Sequence, residues 1–118
     1  MVAVTHTFAG LAVAGYAAAY EWYVRMLGRP ADMFPNDREA VWRLTPGGSI
    51  YVVEDPERAG TSLLTLALDD LEAHAKRLRD GGLAFTEQAH GAAPRRLVIR
   101  DVDGNTLTFF QDPARAEV

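Results

Sequence analysis

Two glycine turns set 57 residues apart, each flanked by short apolar runs, constrain the fold of this chain more than any other feature. The later one lies in Arg96-Leu97-Val98-Ile99-Arg100-Asp101-Val102-Asp103-Gly104-Asn105-Thr106-Leu107-Thr108-Phe109-Phe110-Gln111. Asp-Gly-Asn between β-branched and aromatic residues predicts a hairpin, because Gly and Asn accept the positive φ that such turns need. The earlier one, Val41 to Glu54, turns at Pro46-Gly47-Gly48, and setting Gly47 on Gly104 sets Tyr51 on Thr108. Leu11-Ala12-Val13 ahead of a helix-patterned Tyr16 to Leu27 is matched by Leu66-Ala67-Leu68 ahead of Asp69 to Arg79, now 55 residues on. Two strand-helix-hairpin units in tandem follow, the first over about residues 1–57 and the second over about 58–118.

A chain of 118 residues is one domain's worth, so the two units must share a core or borrow one from another chain. Hydrophobic residues at 48% and charged residues at 24% argue against disorder. The formal charge of −4, with no long basic run, makes nucleic acid a poor partner. Arg95, Arg96 and Arg100 are the one concentration of positive charge and read as the solvated face of an outer strand. The absence of cysteine excludes disulfides, thiolate metal sites and cysteine nucleophiles. Neither a charged leader nor a membrane-spanning apolar run is visible, so a cytoplasmic protein is expected, with no membrane partner.

Taken in order, Val2 to Val13 reads as a first strand, with Leu11 and Val13 on one face and His6, Phe8 and Gly10 on the other. Tyr16, Tyr20, Tyr23 and Leu27 then form the apolar stripe of a helix that Gly28 and Pro30 end, and Trp22 lies off that stripe, as expected of a residue at a subunit contact. A short edge strand is expected around Asp32 to Phe34, a linker over Asp55 to Gly60, and a strand over Ser62 to Leu68. Asp69 and Asp70 suit a helix start, Leu71, Ala75 and Leu78 its buried stripe, and Gly81-Gly82 its end. Leu83 to Gln88 completes the strands before a loop over Ala89 to Pro94 and the last hairpin, giving βαβββ twice.

The pattern L-x-V, a helix ending in Leu27-Gly28, Leu68-Asp69-Asp70-Leu71, and Asp101-x-Asp103-Gly104-Asn105-x-Leu107 resembles the vicinal oxygen chelate superfamily of glyoxalases, extradiol dioxygenases, and fosfomycin- and bleomycin-resistance proteins. The resemblance covers nearly the whole chain and implies an α+β fold in which paired βαβββ modules curl their sheets into a cup. It also implies a twofold homodimer that completes the cups, with Trp22 at or near the interface. Enzymes of the superfamily hold a divalent metal through His and Glu at four strand positions. Carried over by register, those positions are Phe8, Leu63, Tyr51 and Thr108, none of them His, Asp or Glu. A slip of two residues would bring in His6, but with Thr61, Val53 and Phe110 it supplies no charged partner. His74 and His90 lie away from these positions, so no metal or other cofactor is expected.

The same strand parity adds His6, Gly10, Val53, Thr65 and Phe110 to Phe8, Tyr51, Leu63 and Thr108 as a lining, with Trp42 as a further stacking surface. Such a lining suits a small hydrophobic or aromatic molecule. Ser49 and Ser62 lack a nucleophile-elbow setting. The leading expectation is therefore a metal-free binder of the bleomycin-resistance type, acting by sequestration, as in antibiotic resistance. A metal-dependent glyoxalase-like or dioxygenase-like enzyme with misplaced ligands, and an interaction scaffold with a filled cup, are the alternatives.

Overall fold

The computed structural model describes residues 2–89 and 95–115. Its elements are β1 (Thr7–Val13), α1 (Tyr16–Leu27), β2 (Met33–Asn36), β3 (Glu39–Thr45) and β4 (Gly48–Glu54), then β5 (Leu63–Leu68), α2 (Leu71–Asp80), β6 (Thr86–Gln88), β7 (Arg96–Arg100) and β8 (Thr106–Gln111). They form two four-stranded sheets, β1-β4-β3-β2 and β5-β8-β7-β6, with no ladder between them. In each, the first strand runs parallel to the last and the remaining neighbours are antiparallel. The βαβββ order read from the sequence is present twice, and no described helix is long and apolar enough to cross a membrane.

Several boundaries differ from the sequence expectation for reasons of pairing. β1 begins at Thr7, whose N–H bonds the Gly47 carbonyl at the tip of the β3–β4 hairpin, so Val2 to His6 have no strand alongside them to pair with. β6 is only Thr86–Gln88, opposite Val98 to Arg96. β2 falls at Met33–Asn36 and tolerates Pro35 because it is an edge strand of irregular register. The loop expected over Ala89 to Pro94, with His90, lies outside the described residues save Ala89.

Each helix covers one face of its sheet. Asp70 caps α2, its side chain accepting the Ala73 N–H at 3.0 Å, and Leu71, Ala75 and Leu78 are buried as the spacing predicts. α1 ends at Gly28, whose φ of 81° and N–H to the Val24 carbonyl close the last turn. Its deep face is Ala19, Trp22, Tyr23 and Met26, so Trp22 packs inside the chain against Tyr23, their rings edge to face at 4.9 Å. The buried stripe is wider than expected because α1 touches both its own sheet and the second half of the chain. Tyr23 reaches Asp101 and Arg25 reaches the Gly81 carbonyl. Leu11, Val13, Trp42, Ile50 and Val52 from the first sheet and Leu97, Ile99, Leu107 and Phe109 from the second belong to one continuous core.

The two sheets are joined by the turn between β7 and β8. Asn105 is fully buried and its amide nitrogen donates to the Ala12 carbonyl and to Asp101 Oδ2, both at 2.7 Å. Its amide oxygen accepts the Ser62 N–H at 2.8 Å, ahead of β5. Asp101 Oδ2 also accepts the Tyr23 hydroxyl at 2.7 Å, and Asp103 Oδ2 accepts the Ala14 N–H at 3.1 Å. Gly60, at φ 86°, lies so close to the Asp103 carbonyl that a Cβ there would collide with it. The end of β1, the middle of α1, the linker and the start of β5 thus all meet one five-residue turn.

Burial, together with the adjacent Asp101 carboxylate, pushes the Tyr23 phenol well above its ordinary value of 10.0. In the unfolded chain the phenol ionises near that ordinary value while the folded one stays protonated, so stability is lost as pH rises beyond about 10. Asn105→Ala, which strands the Ala12 carbonyl, the Ser62 N–H and part of Asp101, should lower stability to urea by about 3 kcal/mol. Tyr23→Phe should cost about 1–3 kcal/mol at neutral pH and flatten the decline above pH 10 in the same titrations.

Candidate functional site

Residues that face each other in register share a face of the sheet. Phe8 opposes Ser49, which opposes Arg43, and Gly10 opposes Tyr51, which opposes Val41. These side chains lie on the open face, turned away from α1. On the second sheet the same rule groups Leu63, Thr106 and Arg100, then Thr65, Thr108 and Val98, then Ala67, Phe110 and Arg96.

The open face of the first sheet holds a cleft of about 550 Å³ lined by His6, Phe8, Asp32, Met33, Val41, Arg43 and Ser49. Its floor is apolar. Phe8 and Met33 are each about half exposed, at 54% and 52%, although large apolar side chains are usually covered. The His6 imidazole lies against the Phe8 ring, centroids 4.5 Å apart and planes 33° apart, and its Nε2 meets the Ser49 hydroxyl at 2.8 Å. That bond holds the imidazole at the cleft wall. Among the described residues His6 has no other side-chain hydrogen bond, and its second ring nitrogen is available for hydrogen bonding. Asp32 is tied down by Arg29 at 2.9 Å and by the Arg43 N–H at 2.7 Å, and these bonds hold its carboxyl below the usual range. Beside the cleft, the Tyr51 ring lies flat on Gly10, where a Cβ would meet it at 2.5 Å.

Of the residues expected in the lining, the structure brings His6 and Phe8 into this cleft. Tyr51 and Val53 are farther along the same face, and Leu63, Thr65, Thr108 and Phe110 are on the open face of the other sheet, with Leu63 84% exposed. Trp42 is corrected: it faces the helix, is fully buried, stacks on Tyr20 at 5.6 Å and donates its indole N–H to the Arg29 carbonyl at 3.0 Å. Its β3 neighbours Val41 and Arg43 point the other way and reach the cleft. Sequence parity alone would have found Ser49, two residues before Tyr51. Arg43 needed the hairpin register, and Met33 and Asp32 carry no sequence signal because β2 is irregular.

A divalent metal does not fit these residues. At the four positions implied by register stand a benzyl ring, an isobutyl group, a phenol and a hydroxyl, and among the described residues no three His, Asp or Glu side chains converge.

A family model described as the glyoxalase/bleomycin resistance protein/dioxygenase superfamily matches residues 3–109. The chain belongs to that superfamily. It is similar to a glyoxalase/bleomycin resistance protein from Catenulispora acidiphila, at 34% identity and a TM-score of 0.87 over 92% of this chain and 98% of that one. Two further solved structures share its fold. An antibiotic-binding protein from Streptomyces sp. CB03234 has 22% identity and a TM-score of 0.74, covering 94% and 98% of the two chains. A bleomycin-binding protein solved with bleomycin has 17% identity and a TM-score of 0.73, covering 91% and 98%. No curated protein matches the chain.

On the opposite side of the second sheet, His74 lies over Phe109 at 4.4 Å in a groove of about 330 Å³ that Leu27, Leu44 and Arg77 also line. Its Nε2 is buried without a partner among the described residues. Burial, and then the Arg77 charge, lower its pKa below 6.5. The unfolded imidazole therefore takes up a proton first as pH falls, so the fold should lose stability below about pH 6.5. His74→Phe should lose less between pH 7.5 and pH 5 (about neutral to mildly acid) when urea midpoints are compared.

Proposed function

We propose that this superfamily member binds a small hydrophobic or aromatic molecule on its open sheet face without a metal, and acts by sequestering it. The observation that carries the reading is the half-exposed Phe8 ring, with the His6 imidazole tilted against it, on the floor of a ligand-sized cleft. The fold neighbours that bind antibiotics support the reading at the level of ligand class. Ser49, His6 and Arg43 would orient the bound molecule through hydrogen bonds, while Phe8, Met33 and Val41 supply apolar contact.

The cleft is open because one chain covers only part of it. β1 and β5 each have an unpaired edge, and Leu63 and Phe8 project from them into solvent. A second copy laid against these edges would pair their backbone groups and cover the exposed apolar side chains. We infer a homodimer assembled along β1 and β5. Trp22, already buried within its own chain, takes no part in it.

Loss of the Phe8 ring removes a stacked partner and apolar area, so Phe8→Ala should weaken binding of an aromatic ligand at least about tenfold, roughly 1.4 kcal/mol. Calorimetric titration with a compound found by native mass spectrometry to co-purify from the source cell measures this, and unchanged affinity would remove Phe8 from the site. Sedimentation velocity at micromolar concentration should show a dimer, and a monomer there would overturn the assembly.

A further inference from the structure

Three arginines lie on the open faces and make no ion pair among the described residues. Arg29, Arg38, Arg58 and Arg95, by contrast, each have a carboxylate partner. Arg43 sits in β3 opposite Ser49, and Arg100 sits in β7 opposite Thr106. The two are equivalent in the repeat, 57 residues apart like Gly47 and Gly104, and each has an equivalent valine two residues before it, Val41 and Val98. Arg43 and Val41 line the cleft of the first sheet. Arg100 and Val98 line a smaller one, of about 370 Å³, in the second. Arg96 adds a third charge on the face of Phe110.

A guanidinium beside apolar surface is a group that carboxylate, sulfonate or phenolate oxygens satisfy well, through paired N–H donors. Asp32, the carboxylate in the same cleft, is bound by Arg29 and by the Arg43 N–H and also feels the Arg43 charge, without forming an ion pair with that side chain. In a chain of net charge −4, positive charge held on the open faces of both sheets runs against the overall balance, and that balance repels large polyanions.

We propose that the molecule bound in the cleft of the first sheet is a small aromatic anion, and that Arg43 receives its negative group; Arg100, its repeat equivalent, lies on the other sheet and serves as the control. This rests on the binding function proposed above and names the ligand class for that site. The ring lies on Phe8 and His6, and the anionic oxygens reach the guanidinium at the cleft rim. The cleft is too small for a nucleic acid strand or a membrane surface, and the ligand is a free small molecule.

The test compares two fluorescent probes of nearly the same ring system, anilinonaphthalene sulfonate and its uncharged parent phenylnaphthylamine, on the wild-type chain and on R43Q, R100Q and the double variant. Both arginines are exposed, so the variants should melt like the wild type. The wild type should bind the sulfonate at least about tenfold more tightly than the parent, and high salt should reduce that preference. R43Q and the double variant should both lose the preference while keeping their affinity for the parent, and R100Q should keep the preference. Equal binding of the two probes by the wild type, or a preference that survives in R43Q or the double variant, would overturn the anion assignment and leave the aromatic site standing. Binding of neither probe would overturn both.

Discussion

The carboxamide of Asn105 is the group on which the rest of the structure depends. It is fully buried and satisfied on both ends, bonding the end of β1, the start of β5 and the Asp101 carboxylate. A hydrogen bond of this kind contributes only about 1 kcal/mol net, whereas leaving its buried partners unpaired costs about 1–3 kcal/mol each. The Asp101–Asn105 turn therefore acts less by attraction than by making every other arrangement of the two sheets leave polar groups stranded. With the sheets fixed in that way, α1 and α2 share one core and both open faces remain for other uses.

The division between faces carries the functional argument. On the helix side, Trp42, Tyr23, Phe109 and Leu107 are fully buried and make only structural contacts. On the open side, Phe8, Met33 and Leu63 stay exposed, although covering each would gain roughly 1.5–3 kcal/mol. Exposed apolar groups beside two sheet edges, and arginines without an ion pair among the described residues, support the proposed second copy and bound molecule.

Most of the fold is legible in the sequence because its signals are local. The Gly47 and Gly104 turns fix two hairpins, the Asp70 cap fixes α2, and the repeat relates one half to the other. Strand parity is legible for the same reason, and it puts Phe8, Tyr51 and Thr108 on open faces. What parity cannot supply is the direction in which a strand with apolar residues on both sides turns: β3 carries Val41, Trp42 and Leu44 in near succession, and only the packing of Trp42 under Tyr20 and Tyr23 decides it. Nor does sequence reveal that the open faces of the two sheets are separate in one chain, since that depends on how the Asp101–Asn105 turn meets β1. The wide buried face of α1, with Trp22 in it, is hidden for the same reason: part of it meets residues far along the chain, as Tyr23 meets Asp101.

The most direct test of this account is a two-dimensional amide spectrum of the labelled protein titrated with anilinonaphthalene sulfonate. Shifts concentrated at residues 6, 8, 10, 41, 43, 49 and 51, with the amides of α2 and Phe109 unmoved, are the result the open-face site predicts. Shifts confined to the groove beside His74 and Arg77, with the amides of β1 and β4 unchanged, would place binding on the helix side and contradict it.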